Sequence, residues 1–208
     1  MDHLRRSGYS LKTIVDVGAF RGKWAMAVGR VFPESRIIMV EAQEENRGFL
    51  DAAVAELGTR ATYEIALLGA EEKVSVPFYS LGSGSSIYAE MTSHGLAAAT
   101  VNKSMTTLSA VLGKLDASNP DFIKLDVQGA EIEVMKGAMQ ALETATLLQA
   151  ELSVTPYNAG APLAADVIEF MGDLGFGLYD LFGLVRAGDR EQISQFDALF
   201  LSHRRRKR

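Results

Sequence analysis

The chain of 208 residues contains no cysteine. This absence excludes a disulfide-stapled scaffold, a thiolate metal site and a cysteine nucleophile, and it fits a reducing compartment. No apolar run approaches the roughly 18 to 20 residues that a membrane span requires. The first residues, MDHLRRSGYS, also lack the apolar segment of a signal peptide. We therefore expect a cytoplasmic protein without a membrane span.

Acidic residues outnumber basic ones, and the excess is largest outside the C-terminus. The formal net charge is -5, and the last six residues, HRRRKR, hold five of the 21 Lys and Arg side chains. Because an acidic body repels a phosphate backbone, we expect no nucleic-acid partner. The tail of residues 204–208 is predicted to be a solvated, disordered end rather than a site for anionic surfaces.

Strand and helix patterns alternate along most of the chain, and 48% of the residues are hydrophobic, enough for a full core. Apolar runs separated by helices are typical of an α/β fold, with a mostly parallel sheet covered by helices on both faces. The predicted strands are 13–18, 36–41, 62–68, 122–127 and 146–152, and the predicted helices are 23–31, 44–57, 105–115, 130–142 and 163–174. Residues 1–203 are thus predicted to form a single domain.

Two segments depart from this alternation. Over residues 70–105, one alternating strand, 74–79, is followed by the flexible LGSGSS, which predicts an insertion beside the sheet. Near the end, 177–186 and 196–202 read as a closing pair of strands. Such a hairpin would add an antiparallel edge to the sheet.

The stretch TIVDVGAFRG joins an apolar strand to a glycine turn and then to a helix. Glycine lacks a Cβ, so the backbone can lie against a ligand, and the next helix directs N–H groups to the same place. This arrangement predicts a nucleotide-sized pocket. Phe20 occupies the place of the second glycine of the dinucleotide fingerprint and would crowd a pyrophosphate. Glu41 ends the second strand, where it is either a ribose ligand or a surface acid.

Three further carboxylates have two interpretations each. Asp16 is expected both to contact the ligand and to cap N–H groups of the turn. Asp126 either faces the cleft or caps the next helix. Glu151 ends the fifth strand at the same edge, as a general base, a ligand of an acceptor hydroxyl, or a salt-bridge partner of a loop Arg or Lys. His94 is more typical of a solvated loop histidine, and no ligand spacing indicates a metal.

These residues also carry a family resemblance. The stretches IVDVGAFRGKWA, FPESRIIMVEA, ALLGAEEKVSVPFY, GSSIY, TTLSAVL and DFIKLDVQGAEIEVMKGA resemble the FkbM family of S-adenosylmethionine-dependent methyltransferases. LDVQGAE followed by KGA is specific to this family, and the resemblance covers about residues 11–201. It implies a Rossmann-like class I methyltransferase fold with a seven-stranded, mostly parallel sheet and an antiparallel last strand.

The resemblance implies a cofactor site as well. The methionine part of S-adenosylmethionine would lie at the turn, the ribose at Glu41 and the adenine against Ala66 and Leu67, with Asp126 at the mouth of the cleft. The expected cofactor-binding residues are Asp16, Gly18, Ala19, Phe20, Gly22, Glu41, Ala42, Ala66, Leu67 and Asp126. The expected acceptor-binding residues are Ser86, Glu151, Tyr157 and Asn158, and the expected catalytic residues are Glu151 and Asp126, without a metal.

The reaction implied by the resemblance is O-methylation of a hydroxyl on a small molecule or a glycan. Three alternatives remain open from the sequence. The chain could be an N-methyltransferase, a nicotinamide-dependent oxidoreductase, or a non-catalytic module that binds the cofactor to regulate a partner. The sequence indicates no oligomeric state.

Overall fold

The computed structural model describes residues 1–92, 95, 98–187 and 192–205. The helices are α1 (Asp2–Arg6), α2 (Lys23–Val31), α3 (Arg47–Leu57), α4 (Leu108–Lys114), α5 (Glu131–Lys136), α6 (Met139–Thr144) and α7 (Ala164–Asp173). The strands are β1 (Thr13–Val17), β2 (Arg36–Glu41), β3 (Ala61–Ile65), β4 (Leu67–Leu68), β5 (Lys73–Ser80), β6 (Ala99–Thr106), β7 (Phe122–Leu125), β8 (Leu147–Ser153), β9 (Phe176–Ala187) and β10 (Gln192–Ser202). In these described ranges, no helix is long and apolar enough to cross a membrane.

Seven of the described strands form one sheet in the order β3-β2-β1-β7-β8-β10-β9. The first five of these are parallel, whereas β10 pairs antiparallel with both β8 and β9. The near-continuous apolar runs of β1, β2 and β7 are buried because helices cover both faces. The predicted fold class, including its reversed last hairpin, is confirmed.

Alternate residues of each strand supply two cores, because successive side chains point to opposite faces. Val15, Ile38 and Ile123 pack with α4, α5, α6 and α7 on one face. Ile14, Ile37 and Phe122, together with other apolar residues of the sheet, pack with α1, α2 and α3 on the other. The two layers hold the carboxyl ends of β1, β2, β7 and β8 at one edge.

The insertion is more regular than its sequence indicates. Within the described residues, β4, β6 and β5 form a second, three-stranded sheet over a small core of Leu67, Phe78 and Met105. The predicted strand 62–68 divides between the two sheets, and the start of the predicted helix 105–115 belongs to β6. His94 lies outside the described residues.

The predicted helix 130–142 is interrupted at Gly137. A Cβ at this position would lie 2.1 Å from the carbonyl oxygen of Gly69, so the chain of the insertion passes directly against the helix. The contact divides the segment into α5 and α6. Of the tail, His203–Arg205 form a short 3-10 turn, and residues 206–208 lie outside the described residues.

Candidate active site

The site lies where the sheet order reverses. From β1 the chain goes to β2 on one side, whereas β7 pairs on the other side. Ligands of open α/β sheets bind in the crevice outside the carboxyl ends of strands at such a switch point. Val17 and Leu125 are register partners at these ends, so the loops after β1 and β7 leave the sheet side by side.

The turn after β1 needs glycine at two positions for two different reasons. Gly18 has φ +72°, and a Cβ there would lie 1.8 Å from the carbonyl oxygen of Asp126. Gly22 has φ +70°, and its Cβ would lie 2.7 Å from the Cβ of Ala53 on α3. Gly18 therefore lets the turn contact the loop after β7, and Gly22 lets α2 pack against α3.

Glu41 holds the turn in place from the end of β2. Its Oε2 accepts the backbone N–H of Phe20 at 2.7 Å, and its Oε1 accepts the backbone N–H of Gln43 at 2.9 Å. The side-chain amides of Gln43 and Asn46 donate to the same Oε1 at 3.3 and 3.4 Å. Glu41 is only 4% exposed, so the surface-acid alternative is wrong.

A cavity opens above this carboxylate, and we name it the turn cavity. Its space, part of it open to solvent, measures about 710 Å³. Seven of the predicted cofactor contacts line it, namely Gly18, Phe20, Glu41, Ala42, Ala66, Leu67 and Asp126. Asp16, Ala19 and Gly22 do not line it but lie in the strand and turn behind it. The turn cavity combines a buried carboxylate with an apolar slot.

The insertion covers the turn cavity. Its lining includes Phe78, Ser86 and Ile87 of the insertion. Gln43 tethers this cover, since its Nε2 donates to the carbonyl oxygen of Gly82 at 2.9 Å and its Oε1 accepts the hydroxyl of Ser85 at 3.0 Å. The same glutamine therefore contacts both Glu41 and the cover.

Lys124 is a site residue that sequence reasoning missed. Its side chain is buried, and its Nζ lies 3.1 Å from Asp16 Oδ1 and 3.1 Å from Asp126 Oδ2. Burial alone would lower the pKa of Lys124, but the charges of the two carboxylates outweigh it and raise the pKa. The signal in the sequence was a lysine in an otherwise apolar strand, because a buried lysine requires a charged partner.

Asp16 does not cap the turn. Its carboxylate is fully buried, and within the described part of the chain neither oxygen accepts a hydrogen bond, so its contact is the ion pair with Lys124. Burial raises the pKa of Asp16, and the Lys124 ammonium opposes this shift. The expected capping role is replaced by a charge pair between β1 and β7.

The predicted catalytic residues Asp126 and Glu151 are joined by one amide. Gln128 Nε2 donates to Asp126 Oδ1 at 3.0 Å and to Glu151 Oε2 at 2.6 Å. Burial, followed by the charge of Asp126, raises the pKa of Glu151 to about 7. The partner of Glu151 is this amide rather than the loop Arg or Lys that the sequence allowed. A carboxyl that titrates near neutrality can exchange a proton with a ligand.

Asp126 is not a helix cap. Helix α5 begins after Ala130 without a side-chain capping bond, so that alternative is wrong. Glu131 supplies the hydrogen-bond acceptor before this helix instead, because its Oε1 accepts the backbone N–H groups of Val127 and Gly129 at 3.2 Å each. Asp126 therefore faces the cleft, where it lines the turn cavity and a second, adjoining cavity.

The loop that carries Gln128 is fixed by two of the predicted acceptor contacts. Gln128 has φ +53°, and its carbonyl oxygen accepts the Ser86 hydroxyl at 2.8 Å and the Asn158 amide at 2.6 Å. Both partners are almost completely buried. In this structure Ser86 and Asn158 support the loop, and Ser86 also lines the turn cavity.

A second cavity, here the loop cavity, adjoins the first at Asp126. Glu90, Asp126, Gln128, Glu151, Tyr157 and Gln195 are among its lining residues. Burial, followed by the hydrogen bond to Glu90, raises the pKa of Tyr157 to about 12. Glu151 and Tyr157 are therefore the two predicted acceptor contacts that face this polar space. Throughout the described ranges, no group of three or more His, Asp or Glu could hold a metal ion.

Comparisons with known proteins agree with this architecture. The sequence profile of the methyltransferase FkbM domain matches residues 16–178. No curated protein matches the chain. Solved structures with the same fold include a putative O-methyltransferase from Klebsiella pneumoniae, 13% identical, with TM-score 0.55 over 96% of this chain and 76% of that chain.

Two further structures show how widely this fold is shared. The O-methyltransferase TomG from Streptomyces achromogenes, solved in complex with SAM, is 11% identical, with TM-score 0.52 over 97% of this chain and 78% of that one. A putative RNA methyltransferase from Pyrococcus horikoshii is 12% identical, with TM-score 0.52 over 94% and 75% of the two chains. At such identities the likeness concerns the fold, and different acceptors occur on it.

Proposed function

Because the chain belongs to the FkbM-domain methyltransferases, we propose that it transfers a methyl group from S-adenosylmethionine to a hydroxyl of a small molecule or a glycan. Methyltransferase activity and S-adenosylmethionine as cofactor follow from the family. The nicotinamide-dependent alternative is set aside for the same reason. The choice of a hydroxyl acceptor is the proposal.

The residues of the turn cavity suit this cofactor. The Glu41 carboxylate is placed to accept hydrogen bonds from ribose hydroxyls, and the apolar slot that contains Leu67 and Phe78 suits an adenine ring. Gly18 and Phe20 would contact the methionine part. Lys124 and Asp16 lie behind the turn, where their ion pair links β7 to β1.

When bound, S-adenosylmethionine supplies a methyl group on a sulfonium, so positioning and exclusion of water provide much of the acceleration. A hydroxyl acceptor must still lose its proton at or near transfer, which calls for a base beside it. Glu151 is our candidate, and the observation that carries the proposal is its place beside Asp126 in the lining of the loop cavity, where burial raises its pKa to about 7. Gln128 would orient the Glu151 carboxylate through the 2.6 Å hydrogen bond.

The test measures release of S-adenosylhomocysteine by the purified chain across a panel of hydroxylated and amine acceptors. With an active hydroxyl acceptor, Glu151→Gln keeps size and polarity but cannot accept a proton, so turnover should fall by roughly 10²-fold or more. Cofactor affinity, measured by calorimetry, should change little. Glu143→Gln, an exposed acid on α6, is the matched control.

Three results would contradict the proposal. Methylation of amines alone would favour the N-methyltransferase alternative. Tight binding of S-adenosylhomocysteine without turnover on any acceptor would favour the regulatory module. A Glu151→Gln variant with the parental turnover per folded molecule would exclude Glu151 as the base.

A further inference from the structure

A third space, which we name the sheet-face hollow, lies on the face of the sheet that α1 and α2 cover. It measures about 1010 Å³, part of it open to solvent. Its lining includes the acidic residues Asp126, Glu151, Asp180 and Asp197 and the apolar residues Trp24, Phe182 and Leu199. Asp126 and Glu151 also line the loop cavity, so the two spaces meet at the candidate base.

Four acidic residues line the sheet-face hollow, against Lys124, His3 and the N-terminal residue Met1, so its acids outnumber its basic groups. Lys124 lines it but already contacts Asp16 and Asp126. His3 lines it as well, with its Nε2 3.5 Å from Asp180 Oδ2. Burial, partly opposed by the hydrogen bond from Gln149, raises the pKa of Asp197. Within the described residues neither Asp197 nor Glu151 forms an ion pair, although Lys124 acts on both from a distance, and this makes the hollow attractive to a positively charged ligand.

Gln149 provides an independent indication of a ligand. It is 3% exposed and lines the hollow, and its Nε2 donates to Asp197 Oδ1 at 2.8 Å. Its Oε1 is buried and has no hydrogen-bond partner in the described part of the chain. Because buried polar atoms are nearly always paired, this oxygen indicates a missing donor. The donor would stand beside the Asp197 carboxylate.

The chemistry of the hollow favours an organic cation over a metal ion. Its carboxylates do not form a metal-binding group within the described residues. Aromatic faces such as those of Trp24 and Phe182 attract ammonium groups, and Lys124 Nζ already lies 5.7 Å from the centre of the Trp24 ring. An ammonium offers several N–H donors, which can serve both Gln149 Oε1 and neighbouring carboxylates.

We propose that the sheet-face hollow binds a primary ammonium group of the methyl acceptor, so that the acceptor is an amino alcohol or an amino sugar. This inference rests on the proposed function, because it takes Glu151 to face the acceptor hydroxyl. An ammonium held between Asp197 and Gln149 would leave the rest of the acceptor to extend toward Glu151 and the loop cavity.

Trp24 makes the proposal measurable without turnover, because it is the chain's single tryptophan. Tryptophan fluorescence is followed while phenethylamine or phenethyl alcohol is added, a pair of similar shape that differs in the charged group. The amine should change the emission saturably and bind at least about tenfold more tightly than the alcohol. Equal binding of the two, or no saturable change with the amine, would overturn the proposal.

Variants locate the binding. Asp197→Asn should weaken phenethylamine binding about tenfold or more, whereas Asp173→Asn, which removes an exposed acid on α7, should leave it unchanged. If Asp197→Asn does not fold, Asp180→Asn on the more exposed β9 takes its place, with an expected loss of about threefold or more. Equal weakening by Asp173→Asn would show a general charge effect and contradict the site.

Acceptor turnover separates this inference from the proposed function. If the amine binds as expected but no hydroxyl is methylated, the hollow is a cation site and the O-methyltransferase proposal fails. If uncharged hydroxyl acceptors are methylated as efficiently as their amino counterparts, the O-methyltransferase proposal holds and the acceptor class inferred here is wrong.

Discussion

Strand β2 ends in the carboxylate of Glu41, and β8 carries that of Glu151 two residues before its end, but the surroundings of the two carboxylates differ. Glu41 accepts hydrogen bonds from two backbone N–H groups and two side-chain amides. Glu151 accepts one from Gln128 and lies near the charges of Asp126 and Asp197. Among the described residues, Glu41 Oε1 accepts three hydrogen bonds and Oε2 accepts one, whereas the whole Glu151 carboxylate accepts only one.

The difference distinguishes a carboxylate that holds the pocket together and keeps one oxygen partly available to a ligand from one whose acceptor capacity is almost entirely available. A buried carboxylate with several donors fixes the loops that donate to it. One that is desolvated and close to other acids has a raised pKa, and such groups concentrate at functional sites. Four substitutions test the comparison, from the largest expected effect to the smallest.

The largest effect is expected at Gly18, which allows the turn after β1 to contact the loop after β7. Gly18→Ala places a methyl group against the carbonyl oxygen of Asp126 and strains φ, so we expect a loss of more than about 3 kcal/mol in unfolding free energy. Gly175→Ala is the control, since Gly175, which follows α7, also has positive φ but a Cβ there meets no atom of the described residues within 4 Å. It should lose about 1 kcal/mol. Urea unfolding of both variants compares them, and equal losses would disprove the close contact.

Glu41→Ala removes the carboxylate that holds the turn. The N–H groups of Phe20 and Gln43 lose their acceptor, at a cost of about 1–3 kcal/mol for each group left unsatisfied. Affinity for S-adenosylhomocysteine, measured by calorimetry, should fall about tenfold or more. A variant with the parental stability and affinity would place the cofactor away from the turn cavity.

Glu151→Gln should increase the unfolding free energy above neutral pH, whereas Glu41→Ala should decrease it. Folding raises the pKa of Glu151 from 4.5 to about 7, so the parent loses unfolding free energy as the pH rises between these values. The variant cannot ionise and should be about 1–3 kcal/mol more stable than the parent at about pH 8, with little difference at about pH 4. Urea unfolding at both pH values measures this. A loss of stability at both would make Glu151 structural and remove the contrast with Glu41.

The smallest effect is expected at Gln43, which connects Glu41 to the cover of the turn cavity. Gln43→Ala removes two neutral hydrogen bonds to the cover, each contributing about 0.5–1.5 kcal/mol, and a long one of 3.3 Å to the Glu41 carboxylate, so cofactor affinity should fall about threefold to tenfold. The exposed Gln140→Ala on α6 is the control. Unchanged affinity in the Gln43 variant would mean that the cover does not need this tether.

The main sheet was predictable because its strands are apolar runs bounded by turns and helices. The predicted bounds 36–41 and 23–31 coincide with β2 and α2. The position of Glu41 at the end of β2, beside a cavity, was predictable for the same reason, while its role toward the cofactor stays a prediction. Local pattern and sheet topology were sufficient there.

What the sequence did not reveal depends on contacts between distant segments. The pairing of Lys124 with Asp16 follows from the register of β1 and β7. The sheet-face hollow needs side chains from β7, β8, β9 and β10 together with Trp24. Strand β6 escaped prediction because most of its residues are exposed and lack an apolar run. Apart from the lysine itself in an apolar strand, none of these features has a local signature.

The carbonyl oxygen of Gln128 has a consequence for the order of folding. Its two donors, Ser86 and Asn158, lie 42 residues before it and 30 residues after it in the chain. Closing two such loops costs entropy that is repaid only after β7, β8 and the insertion have docked. We therefore expect this junction to form late and to open first in native-state hydrogen exchange, so that the insertion detaches while the seven-stranded sheet stays folded.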